Sequence, residues 1–384
     1  MRIQQHRSTS TPTSHDLAAL QALNPQLVLV FGAVARFDDE ELLPNLRSAF
    51  PQSELAGCTT AGEIGNDGVS DGELVLTALR FDHPGIRLAT TDLVGMDDST
   101  AAGERLAAQL LEPLGGHALR QVLVFGQGVA INGSALIDGL QAALGPQVPV
   151  SGGLAGDGAA FKRSLTLSTQ TVSDQQLVAI GFYDPATVVR HGSFHGWQPF
   201  GPARKVTRSS GNVLFELDGE PALGIYKAYL GEYASGLPGT GLLFPFEMLG
   251  SNQDSLGLIR TILAVDEAAG SLVLAGDIHE QGFLRLMHAS TDCLVDGAEA
   301  AAKSLFDGGP VAGESLALLV SCVGRKLVMG ARVDEEVEAV ADVIGKQAQV
   351  TGFYSNGEIS PRLEGLQCHL HNQTMTITLI AETA

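Results

Sequence analysis

Two short runs of uninterrupted apolar residues, Leu27-Val28-Leu29-Val30-Phe31-Gly32 and Gln121-Val122-Leu123-Val124-Phe125-Gly126, nearly repeat one another. Apolar side chains at consecutive positions suit a strand covered on both faces. A helical pattern follows each. After the first, Leu42, Leu46 and Ala49 recur at helical spacing behind the capping candidates Asp38 and Asp39, and Pro44 limits where the helix begins. After the second, the helix spans Ser134 to Leu144. Between them the pattern predicts strands at Gly72–Phe81 and Ile86–Leu93 and an amphipathic helix at Asp97–Leu111. Leu165–Ser168 and Leu177–Phe182 read as a hairpin, and Val188 to Gly211 is strand-like. The order returns further on. A hairpin turns at Asp266–Gly270, Phe283–His288 is a strand and Asp292–Leu305 a helix; strand Leu316–Cys322, helix Asp334–Ile344 and strand Gln349–Phe353 come next. Gln367 to Ile380 alternates as a half-buried strand does. This predicts a mixed α/β (α+β) fold of internally repeated strand-helix units, with sheets covered by helices. The expected division is a disordered tail at 1–14, one domain at 15–211 that is itself duplicated, and a second at 212–384. Asn212–Ser251, rich in Gly and Pro and holding a helix near Ala222–Leu230, reads as the joint.

The strands lead into repeated loops. Leu55 to Ile64 reads Leu-Ala-Gly-Cys-Thr-Thr-Ala-Gly-Glu-Ile, and Val350 to Ile359 reads Val-Thr-Gly-Phe-Tyr-Ser-Asn-Gly-Glu-Ile. Gly57 matches Gly352 and Glu63 matches Glu358. Val150 to Asp157 is a shorter third copy, with Asp157 standing where the glutamates stand. The spacing is too long for a solenoid and fits a duplicated supersecondary unit. Two readings stay open. Gly57, Cys58, Thr59, Gly62, Glu63, Gly357 and Glu358 let a ligand approach exposed backbone N–H groups, or each loop is a structural turn whose acid bonds the backbone.

Composition narrows the function. With 384 residues, 45% hydrophobic and 17% charged, the chain is globular and long enough for two cores. A net charge of −20 repels phosphate backbones and anionic lipid, so nucleic acid and membrane partners are disfavoured. Cys58, Cys293, Cys322 and Cys368 form no CxxC pair, which removes the usual zinc and iron–sulfur spacings. A polar N-terminus without a signal sequence, and the lack of a long apolar run, lead to the expectation of a cytoplasmic protein with reduced thiols. Cys58 is the one nucleophile candidate, for a hydrolase, but Gly153 and Phe353 stand at its matched positions. The expectation is that the protein is not an enzyme. Gly126 to Gly133 has the wrong spacing for a dinucleotide loop and reads as a tight connection.

Gly57–Ile64, His195-Gly196-Trp197, Asp218–Leu223 with Tyr226, Arg260–Leu263, Leu274–Ile278, Phe353–Ile359 and His371–Thr374 together resemble the signatures of the FIST family, across nearly the whole chain. The resemblance implies a sensory protein for small molecules such as amino acids. A subset of free-standing FIST proteins of similar length, the NosP-like proteins, binds haem, senses nitric oxide and controls a histidine kinase. No kinase, cyclase or methyl-accepting segment is visible in the sequence, so a separate partner chain is the expected output, and a homodimer stays open. Haem needs an apolar slot, an axial ligand and polar groups for its propionates. His195 beside Trp197 is the candidate for the iron; His288, His371, Tyr354 and Cys58 are the alternatives, and a core role for each histidine is the competing reading.

Overall fold

The computed structural model describes residues 1–83, 85–311, 313–361 and 366–383. Three six-stranded sheets share one strand order. In the first, the order is Arg2–Ser8, Leu74–Arg80, Leu27–Gly32, Glu54–Thr59, Thr166–Ser168, Val172–Ser173. The second runs Ile86–Asp92, Gln176–Phe182, Gln121–Gly126, Val150–Leu154, Gly357–Pro361, Cys368–His371. The third runs Thr187–Phe194, Met375–Glu382, Ser315–Cys322, Ala348–Ser355, Glu63–Gly65, Gly68–Ser70. In every sheet the third and fourth strands are parallel and their other neighbours antiparallel.

The final hairpin of each sheet comes from a different repeat. The chain leaves Glu54–Thr59 and pairs in the third sheet; it leaves Val150–Leu154 and pairs in the first; it leaves Ala348–Ser355 and pairs in the second. The three repeats are therefore locked in a ring. The apolar runs now have their reason. Leu29 and Phe31, Leu123 and Phe125, and Leu318 and Val320 point inward to one shared core with Cys58 and Phe353. Phe31 lies 5.5 Å from Phe125 and 4.8 Å from Phe353 between ring centroids. The alternate residues, Val28 and Val30, Val122 and Val124, and Ala317 and Leu319, face outward beneath helices such as Leu42–Ala49, Gly133–Leu144 and Asp334–Ile344.

Several expectations change. Arg2–Ser8 is an edge strand rather than a tail, paired with Leu74–Arg80 over its whole length. It is polar because an edge strand needs only backbone partners and one buried face, and it matches Ile86–Asp92 and Thr187–Phe194 in the other sheets. Thr166–Ser168 and Gln176–Phe182 do not form a hairpin with each other; they belong to different sheets. Gln367 to Ile380 is two strands in two sheets, joined by a buried turn at His371–Thr374. Nor is Asn212–Ser251 a simple joint. It belongs to a nine-stranded lobe that runs from Gln198 to His288 and interrupts the third repeat. The expected 211/212 division falls in the turn of that lobe's Arg204–Ser210 and Val213–Leu217 hairpin. Among the described residues no helix is long and apolar enough to cross a membrane.

Candidate functional site

The matched glycines sit at one register. Gly57 opposes Leu167 and Gly152 opposes Ile359, while Gly352 opposes Ile64. The residue before each partner is Thr166, Glu358 and Glu63. Thr166, not Asp157, therefore occupies the place of the glutamates, because the second loop carries extra residues before its strand. Asp157 instead accepts the N–H groups of Phe161, Lys162 and Arg163 and closes that added turn.

Glu63 and Glu358 hold backbone in place. Glu63 accepts from Thr60 Oγ1 at 2.6 Å and from Glu73 N–H at 3.0 Å; Glu358 accepts from Ser355 Oγ at 2.6 Å and Thr374 N–H at 3.2 Å. Thr59 Oγ1 accepts the Leu165 N–H, and the Gly62 carbonyl accepts the Tyr354 N–H. Cys58 is wholly buried in the shared core, and burial pushes its thiol well up, so it carries no thiolate at neutral pH.

Burial also raises the Glu358 carboxyl, from 4.5 to about 8, against the hydrogen bonds from Ser355 and Thr374. A raised acid is more stable protonated in the fold than unfolded. Its contribution is full below about pH 4.5 and is lost as pH rises through about 8. Stability should fall across that window by up to about 1.4 kcal/mol per pH unit. Glu358→Gln keeps the shape and should flatten this slope in urea unfolding; an unchanged slope would assign it to other groups.

Of the haem candidates, His195, Trp197 and Tyr354 gather around a buried ion pair. The His195 carbonyl accepts from Arg325, and its Nδ1 accepts the Trp197 N–H at 2.9 Å; burial lowers the ring's pKa. Trp197 is buried and donates Nε1–H to the Gln373 carbonyl, and Tyr354 donates to Glu336 Oε1 at 2.6 Å. His371 is buried with Nε2 3.1 Å from the Ser360 carbonyl, whereas His288 is exposed and edge-on to Phe200.

None of these residues lines the hollow between the three-sheet body and the lobe. That hollow has a volume of about 420 Å³. The body contributes Gly128, Val129, Ile131–Gly133, Leu154, Phe161, Asn356 and Leu370; the lobe contributes Asn212, Leu242, Ile262, Leu263, Leu274 and Ala275. Asn356 belongs to the repeated Ser-Asn-Gly-Glu loop, so that loop reaches the cavity through its asparagine rather than its glutamate. The segment expected as a tight connection, Gly126 to Gly133, joins strand Gln121–Gly126 to helix Gly133–Leu144 and also supplies part of this wall. The sequence signal for this site is modest: Asn132, Asn212 and Asn356 each stand beside a glycine.

As for haem, the described lining residues offer Met96 as the one side chain with affinity for iron, and no Lys, Arg or His for the propionates. These residues do not fit that group. Among the described residues no cluster of three or more His, Cys, Asp or Glu could hold a metal ion.

Residues 26–220 match the FIST N domain and residues 222–361 the FIST C domain. The chain belongs to the FIST family. FIST domains are sensory domains of signal transduction. Among curated proteins no sequence matches this FIST chain. Among solved structures it is similar to a cyanuric acid hydrolase from A. caulinodans, at 11% identity and a TM-score of 0.37 over 100% of this chain and 99% of that one.

Proposed function

We propose that this FIST protein is a cytoplasmic sensor that holds a small molecule between its body and its lobe and signals its presence to a separate chain such as a histidine kinase. The observation that supports it is the two-sided lining. A ligand in the hollow touches Leu154, Asn356 and Leu370 on one side and Asn212, Ile262 and Ala275 on the other. Such a ligand binds best when the two sides are correctly spaced, and this differential affinity is what shifts a conformational population. The lining is apolar with a few amides, the usual make-up of a small-molecule pocket, and the volume is in the usual range.

The test is thermal unfolding with a panel of amino acids, amines, amides and small heterocycles. A ligand present at a hundred times its Kd adds about 2.7 kcal/mol of stability and should raise the midpoint by several degrees. Ala275→Phe, which places a ring in the hollow, should abolish that shift while the protein stays folded. A shift that persists in Ala275→Phe would move the site elsewhere. The finer reading, a haem that reports nitric oxide, is separated by an absorption spectrum after hemin is added. No Soret band removes it; a band that Ala275→Phe retains but His195→Ala loses would replace the hollow with His195 as the sensing site.

A further inference from the structure

Resting on the reading of the hollow as the sensory site, we infer that the chain receiving the signal lays a basic amphipathic helix across the mouth of the hollow, with its apolar face on Met96 of the body and Leu263 of the lobe. Three observations carry this. The first is apolar surface left in water. Met96 and Leu263 both line the hollow, yet they are 45% and 43% exposed, and Val94, in the same turn as Met96, is 84% exposed. Single exposed apolar residues need no explanation, but a group of them beside a cavity marks a contact surface. The exposed aromatic side chains elsewhere rest on rings of their own chain: Phe194 stacks on His195, Phe200 lies edge-on to His288 and Tyr233 packs on Phe244.

The second observation is where this surface lies. The turn holding Met96 is pinned to the body, because Ser99 Oγ donates to the Met96 carbonyl at 2.7 Å and accepts the Asn132 N–H at 3.0 Å. Asn132 Nδ2 in turn faces Asp277 Oδ1 of the lobe at 3.5 Å. Leu263 stands on the lobe's strand Ile262–Asp266. A helix that touches Met96 and Leu263 together therefore reads the spacing of body and lobe, which is the quantity a ligand in the hollow changes. Ligand and partner must then alter each other's affinity by the same factor.

The third is charge. Asp97 is exposed beside Met96. Asp138, on helix Gly133–Leu144, has its pKa raised first by desolvation and then by repulsion from Asp277, which places those two carboxylates near each other. None of these three acids is in an ion pair among the described residues, whereas the neighbouring Asp98 is held by Arg105 at 2.7 Å. Against them stands Lys162, exposed beside the lining residue Phe161. The balance at the mouth is negative, in a chain of net charge −20. A second copy of this chain is repelled there, and a segment flanked by Lys or Arg is attracted. A helix with apolar residues three and four apart and basic ones between presents both requirements at once.

The test is fluorescence anisotropy on the full chain with two labelled model peptides: an amphipathic helix of about five turns built from Leu and Lys, and its counterpart with Glu in place of Lys. The Leu/Lys peptide should bind and the Leu/Glu peptide should not. Met96→Ser with Leu263→Ser, its folding checked by the urea midpoint, should weaken binding at least roughly tenfold. Asp97→Asn with Asp138→Asn should weaken it several-fold, and high salt should erase that difference. No binding of the Leu/Lys peptide, equal binding of the Leu/Glu peptide, or unchanged affinity in Met96→Ser with Leu263→Ser would each overturn the inference. So would a dimer in light scattering that this double variant splits, since the occupant would then be a second copy. A panel compound that stabilises the protein while the peptide fails these tests would remove the docking surface and leave the sensor reading standing. Peptide binding as described, with no compound in the panel stabilising the protein, would keep the surface and remove the sensor reading beneath it.

Discussion

Gly57→Ala and Gly352→Ala are each expected to abolish soluble, folded protein. A Cβ at position 57 would lie 1.8 Å from the Val30 carbonyl oxygen, and at position 352 it would lie 1.8 Å from that of Leu319. The atoms in the way are main chain of the parallel neighbour, so no rotamer change relieves the contact. The strands must part. Overpacking of a well-filled core already costs about 1–3 kcal/mol where side chains can adjust, and here the pair that anchors a sheet has to open. Against a total stability of roughly 5–15 kcal/mol, that is enough to unfold a marginal protein. Gly152 makes the same approach to Val124 at 1.9 Å, with φ +132° besides, so the third repeat position should behave alike. The control is Gly224→Ala in the helix Ala222–Leu230, where a Cβ meets nothing within 4 Å. It should be neutral or stabilise by up to about 1 kcal/mol. Soluble yield and urea midpoints decide; a folded Gly57→Ala protein with an unchanged midpoint would refute the close approach.

These glycines also mark how far the sequence could be read. Leu27–Gly32 and Gln121–Gly126 are strands at the predicted residues, because apolar runs of that length buried on both faces leave little choice. The repetition of Gly57, Gly152 and Gly352 was legible too, since one steric need repeats one residue. Arg2–Ser8 was not, because its place depends on main-chain bonds to Leu74–Arg80, which leave no mark on side-chain composition. The role of Thr166 was hidden for another reason. Structural equivalence follows strand register, and the residues inserted around Asp157 carry a misleading acid to the right distance from a glycine. The cavity was least legible of all. Leu154 and Leu370 come from separate strands of the second sheet and Ile262 from the lobe, far apart in the chain, and nothing local in each segment announces that they meet.

Arg325→Met is expected to destabilise the protein by about 3–5 kcal/mol, the usual loss when one partner of a buried ion pair is removed. Arg325 and Glu336 have side chains with 0% exposure, and Arg325 Nη2 lies 2.7 Å from Glu336 Oε2. The guanidinium also donates to the carbonyls of His195 and Leu294. Methionine fills much of the volume but leaves both carbonyls unmet, and leaves Glu336 with only the hydroxyls of Ser321 and Tyr354. The pair itself adds little over an apolar substitute, since two desolvated charges roughly cancel their attraction. The double variant Arg325→Met with Glu336→Leu should therefore recover part of the loss, so the two single losses should sum to more than the double loss in urea unfolding. Additive losses would show that the pair is not coupled. There is a functional corollary. Arg325 ties helix Val323–Met329 to the His195–Trp197 turn, where the chain passes from the body into the lobe. Loosening that tie should weaken binding, in the hollow, of whichever panel compound stabilises the protein, although Arg325 is not among the residues that line it. Full retention of affinity in Arg325→Met, at a denaturant concentration where it remains folded, would separate the ion pair from the spacing of body and lobe.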